Sequence, residues 1–103
     1  MDINDFQDKV LKVASELEEL PNRAKHTKQS ALIHLVEEVG EVARHLTDEH
    51  HRPEKFDASK VGNELADVMM FIVILADLYN VALPKEMEEA IERIKNKASD
   101  LSN

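Results

Sequence analysis

Apolar residues recur along this chain at three- and four-residue intervals, the period of helices that pack by one face. The first run, Phe6, Val10, Leu11, Val13, Ala14 and Leu17, predicts a helix that begins after Asp2 or Asn4, either of which can cap it, and ends at Pro21. A short connector, Asn22 to Lys28, then gathers Arg23, Lys25, His26 and Lys28. A second helix is predicted from Thr27 or Ser30 to Leu46, its broad stripe made of Ala31, Leu32, Leu35, Val36, Val39, Val42, Ala43 and Leu46. From Thr47 to Asp57 the polar sequence TDEHHRPEKFD, broken by Pro53, reads as a surface connection with His50 and His51 in the loop. A third helix runs from Asp57 or Ser59 to Asn80, and the β-branched Ile72, Val73 and Ile74 sit inside its continuous frame. The fourth opens with Pro84 in its first turn, carries Glu86, Glu88 and Glu89 early and closes with Arg93, Lys95 and Lys97, an order that suits the helix dipole.

The pattern describes an all-α fold, four helices in a single domain over residues 1–103. The middle of the third helix, VMMFIVILA from Val68 to Ala76, is apolar on nearly every side and has to be covered on every side. Four short helices of one subunit do not suffice for that. The expected remedy is a homodimer or a dimer of dimers with this helix at its centre.

Charge and composition narrow the function. Twenty-one acids against thirteen bases leave a net charge of −8, opposite in sign to a DNA or RNA binder. Two glycines are too few for the phosphate loops of dinucleotide folds, and the absence of cysteine removes disulfides and thiolate chemistry. The longest uncharged apolar run has nine residues, short of the roughly 18 of a membrane span. The opening MDINDF lacks the basic and apolar parts of a signal peptide, so the expected location is the cytoplasm, with no membrane partner.

The candidate chemistry lies in acids that border the apolar stripes. With Leu35, Val39, Val42 and Leu46 at the centre of the second stripe, Glu38 borders it, Glu41 stands about 60° further out and Glu37 further still. His34, Glu38, Glu41 and His45 then form one polar ridge, and Glu64 and Asp67 repeat the arrangement on the third helix. One acidic pair three residues apart is ordinarily a solvated face. Two such pairs on consecutive helices, each against a dense apolar run, point instead to a bound cation, because clustered half-buried carboxylates repel one another without one. Magnesium suits such oxygen ligands, with manganese as the alternative. His34 and His45 read as flanking groups, Met69, Met70 and Met87 as core filler. The competing reading is a non-catalytic helical oligomerisation or regulatory module whose carboxylates pair with Arg44, Lys60 or a partner chain.

The segment ALIHLVEEVGEVARHL, followed after a loop by NELADVMMFIVILADLYNVALP, resembles the MazG-like all-α nucleoside triphosphate pyrophosphohydrolases, a group that includes dimeric dUTPases and dCTP pyrophosphatases. Their motif is EExxE, a spacer, then ExxD. Here EEVGE and ELAD supply it, with 22 residues between Glu41 and Glu64. The resemblance implies a four-helix MazG-like bundle completed by oligomerisation and a nucleoside triphosphate substrate cleaved to monophosphate and pyrophosphate. It further implies Glu38, Glu41, Glu64 and Asp67 as magnesium ligands and Glu37 as the acid that orients or deprotonates the attacking water. It nominates His26, Lys28 and Gln29 of HTKQS as nucleotide contacts, and Lys95 and Asn96, with Lys97, as phosphate contacts. The chain departs from several relatives in having no tryptophan in its first helix or connector, so the resemblance does not carry the identity of the base.

Overall fold

Three of the four α-helices start where their own sequence supplies a side-chain cap. In the computed structural model, which describes residues 1–102, α1 spans Ile3–Glu18, α2 Lys28–His51, α3 Ala58–Leu78 and α4 Leu83–Ser102, with a single 3-10 turn at Pro53–Lys55. The Asp2 carboxylate accepts from the Asp5 amide at 2.9 Å, and the Asp2 amide donates back to Asp5 Oδ2 at 3.4 Å; Thr27 and Ser30 form the same box at 3.0 and 2.8 Å. Asp57 caps α3 through the Ser59 amide at 3.0 Å and hydroxyl at 2.7 Å, contacts that hold its carboxyl below the usual range. Left-handed Asn22 and Asn80, φ 67° and 56°, turn the chain after α1 and α3.

α1 stops at Glu18, short of Pro21, and α3 at Leu78, short of Asn80; the larger departure from the sequence reading is in α2. α2 does not stop at Leu46 but runs a further turn and a half, so His50 and His51 are helical, their rings 4.5 Å apart. Arg52 clasps Asp48 four residues back at 2.7 and 3.0 Å, and the Arg52 amide closes a last bond to the Asp48 carbonyl. Pro53 sets the true end, because a residue before proline is pushed out of the helical region, and Arg52 sits at φ −141°, ψ 62°.

α2 and α3 form an antiparallel hairpin: His45 faces Glu64, and His34, eleven residues earlier, faces Phe71. α1 lies on α3, and Val10, Ala31, Val73 and Ile74 make the buried centre, ringed by Phe6, Leu11, Met70, Phe71, Leu75 and Leu78. α4 leaves α3 at 108° and packs against α1. Among the described residues no single helix is long and apolar enough to cross a membrane.

The stripe of α2 divides into two rows. Ala31, Leu35, Glu38, Val42 and His45 turn toward α3, whereas Leu32, Val36, Val39 and Leu46 are exposed, Val36 at 62%. Val39 and Leu46 therefore do not share the packed centre with Leu35 and Val42 as the wheel had them. On α3 the inward Glu64, Asp67 and Phe71 are each followed by an apolar residue, Leu65, Val68 and Ile72, and Leu65 is half exposed. On both helices the outer row trails the inner by one residue, about 100° in the same rotational sense. With antiparallel axes, the two outer rows lie on one side of the hairpin and merge into one apolar slab. Met87 is largely exposed rather than core, and with Ile91 and Ile94 it leaves the apolar stripe of α4 uncovered as well.

Candidate functional site

On the hairpin side that receives α1, three carboxylates converge. Glu38 comes from α2, Glu64 and Asp67 from successive turns of α3, and one oxygen of each lies within 4.8 Å of the others, all half-buried. The Glu38 carboxyl is held above its ordinary range, first by its hydrogen bond with Glu64, then by burial and by the charges of Asp67, Glu64 and Glu41. Three carboxylates this close repel one another, and a divalent cation with a taste for oxygen ligands would relieve that repulsion. The donor set fits a magnesium- or manganese-type ion.

Glu41 stands apart from these three. It shares the polar ridge, but its Oε2 takes the Arg44 guanidinium at 2.7 Å. Glu37 is exposed, and its Oε2 lies 3.7 Å from His34 Nδ1. His45 is the one buried polar residue of the described chain, 9% exposed, with Nε2 at 3.8 Å from Glu64 Oε1.

One helical turn from the acids a cavity opens. His34 precedes Glu38 by four residues and Phe71 follows Asp67 by four, and their rings stack at 5.3 Å and 20°. His26 closes the group edge-on, 5.7 Å from each ring. These three line a cavity of about 530 Å³ with Val10 and Leu17 of α1 and Arg23 of the connector, within the range of small-molecule sites. The connector is held in place where the His26 amide donates to Glu18 Oε1 at 3.2 Å.

Of the other residues nominated from sequence, His26 is in the cavity wall, while Lys28 places its Nζ 4.4 Å over the Tyr79 ring and Gln29 is exposed on the first turn of α2. Lys95 and Asn96 are exposed on α4, with Lys95 paired to Glu92 at 3.4 Å, and neither lines the cavity. Sequence reasoning passed over Phe71 and Glu18. An aromatic one turn beyond an ExxD acid, opposite a histidine one turn before an EExxE acid, was the available signal for Phe71. Glu18, which anchors the connector across eight residues, had none.

A family model described as the MazG nucleotide pyrophosphohydrolase domain matches residues 26–102. The match takes in His26, the acids of α2 and α3 and all but the first helix and most of the connector. No curated protein and no solved structure matches the chain significantly.

Proposed function

The chain belongs to the MazG nucleotide pyrophosphohydrolase family, and from that premise we propose that it hydrolyses a nucleoside triphosphate, a deoxynucleotide or modified nucleotide, to the monophosphate and pyrophosphate in nucleotide-pool housekeeping. The observation that carries this reading is the convergence of Glu38, Glu64 and Asp67 within 4.8 Å, one turn from an aromatic-walled cavity. The nucleoside enters the cavity between α1, the connector and the α2–α3 hairpin, and the phosphates extend toward the acids.

Glu38, Glu64 and Asp67 would hold the cation, with Glu41, paired to Arg44 in the metal-free chain, as the fourth ligand. Magnesium bound there supplies charge neutralisation for the phosphates and a lowered pKa for the attacking water. Glu37, outside the cluster, orients that water and takes its proton as the water oxygen bonds to the α-phosphorus and the α–β bridging bond breaks, releasing pyrophosphate. His26 forms a wall of the nucleoside cavity; Lys28 and Gln29 at the start of α2, and Lys95 and Asn96 from α4, meet polar parts of the nucleotide. Without a cation the acids of a protein with charge −8 would repel a triphosphate.

The same reading includes assembly. The radius of gyration is 17.0 Å against the roughly 13 Å of a compact domain this size, and the apolar slab on the hairpin and the stripe on α4 are bare. A homodimer or a dimer of dimers covers them, in the cytoplasm, without nucleic acid or membrane.

A panel of ribo- and deoxynucleoside triphosphates scored for pyrophosphate release in magnesium and in manganese tests the activity. Release from at least one, dependent on the cation, is expected; none from any, with the protein folded, overturns the reading. One observation favours the non-catalytic alternative, the 2.7 Å Glu41–Arg44 pair, which keeps a motif acid in a surface salt bridge. Under that alternative neither cation raises the melting temperature.

A further inference from the structure

His45 is out of character for its position. It continues the row Ala31, Leu35, Glu38 and Val42 that α2 turns toward α3, where an aliphatic side chain would pack without desolvating a ring nitrogen. Something must compensate its burial, and the carboxylate in reach is Glu64, whose Oε1 lies 3.8 Å from His45 Nε2. Glu64 stands between two neighbours, the Glu38 and Asp67 carboxylates within 4.8 Å on one side and His45 on the other.

The geometry points to His45 as a positioning residue for the metal site: from the end of the acid cluster away from the cavity, its imidazole holds the Glu64 carboxylate in the orientation that binds a divalent cation. A cation among the oxygens of Glu38, Glu64 and Asp67, which lie within 4.8 Å of one another, engages one side of the Glu64 carboxylate and leaves its other side to be fixed by the protein. His45 is then the side chain left to fix it, and a small rotation of Glu64 shortens 3.8 Å to a hydrogen bond. Groups that orient a ligand in this way are worth about 10–100-fold in metal affinity. The role differs from packing in its consequence: a buried histidine kept for shape alone should be replaceable by an aliphatic residue at no cost to the metal.

The inference rests on the metal site proposed above, and calorimetric titration of Mn2+ into the metal-free chain separates the two. Wild-type protein that takes up no Mn2+ removes the site itself. Given uptake, His45→Leu and His45→Met are expected to fold with melting temperatures equal to or above the wild type and to bind Mn2+ about tenfold more weakly. His45→Gln, which keeps an N–H donor, should retain affinity within about threefold of the wild type. Wild-type affinity in either aliphatic variant overturns the inference, as does a loss in His45→Gln equal to that in His45→Leu. Failure of both aliphatic variants to fold also overturns it, since His45 would then be a structural residue.

Discussion

The two sides of the α2–α3 hairpin are made from the same two helices and differ by one residue in register. Glu38, Glu64, Asp67 and Phe71 turn inward and toward α1; their next neighbours Val39, Leu65, Val68 and Ile72 line an apolar slab on the other side, with Val39 and Leu65 half exposed and Val68 and Ile72 partly covered. On the first side polar groups meet one another within a few ångströms and an aromatic-walled cavity adjoins them. On the second, Val36, Val39, Leu46 and Leu65 remain bare over half of their surface or more. A helix of period 3.6 can therefore serve chemistry and assembly with adjacent residues, and substitutions one position apart should have unrelated effects.

The largest effect is expected on the acid side. Glu38→Gln or Asp67→Asn removes a cation ligand and should lower turnover by about 10³-fold or more, the several kcal/mol that metal charge stabilisation contributes. Circular dichroism should remain helical, and the metal-free melting temperature should rise, because one of three crowded carboxylates is gone. Wild-type turnover in either variant removes that residue from the site.

Glu37→Gln comes next, at about 10²-fold or more in turnover for a group that moves a proton. Unlike Glu38→Gln, it should leave calorimetric magnesium and nucleotide affinities nearly unchanged, because Glu37 faces His34 rather than the acid trio. Equal loss of metal affinity would make it an ordinary ligand; full activity would make it a solvated surface acid.

On the slab side, Val36→Lys should leave the acids and cavity undisturbed and weaken self-association by about 30-fold or more, as expected for a charge placed in the buried centre of an interface. Light scattering across micromolar concentrations reads it. A wild-type protein that is monomeric there contradicts the assembly, and an unchanged association in the variant moves the interface elsewhere.

How much of this was legible beforehand follows from which forces act locally. Caps and periods do: of the starts the sequence allows, Asp2 rather than Asn4, Thr27 rather than Ser30 and Asp57 rather than Ser59 cap the helices through their own side chains. The acids were legible as pairs because three-residue spacing fixes a face. What a single helix cannot encode is which part of a broad stripe its neighbour takes. α3 takes the row of Leu35 and Val42 and leaves Val39 and Leu46, a choice made by tertiary packing. The end of α2 failed for a different reason: the polar run after Leu46 hid the Asp48–Arg52 clasp that extends the helix to the proline. The Glu41–Arg44 pair, too, is a matter of side-chain torsion that spacing leaves open.

The smallest effect expected is in the pH dependence of the metal-free protein, and its sign distinguishes the two sides of the hairpin. The Glu38 carboxyl is raised in the folded state, chiefly by its hydrogen bond with Glu64. A group raised on folding binds its proton more tightly in the native chain than in the unfolded one, so its contribution is fully present below the unfolded carboxylate range and is lost as pH rises through the folded value. Other acids titrate in the same window, and comparison with Glu38→Gln isolates this one. The two proteins should melt together at low pH, and the wild type should fall progressively below the variant as pH rises. Adding magnesium should reverse the trend for the wild type alone, since the cation binds the ionised cluster and its stabilisation grows as protons leave. Val36→Lys, on the slab, should show the same pH response as the wild type at matched assembly state. A gap between wild type and Glu38→Gln that does not change with pH would mean that Glu38 is an isolated surface carboxylate, and the acid cluster would lose its first member.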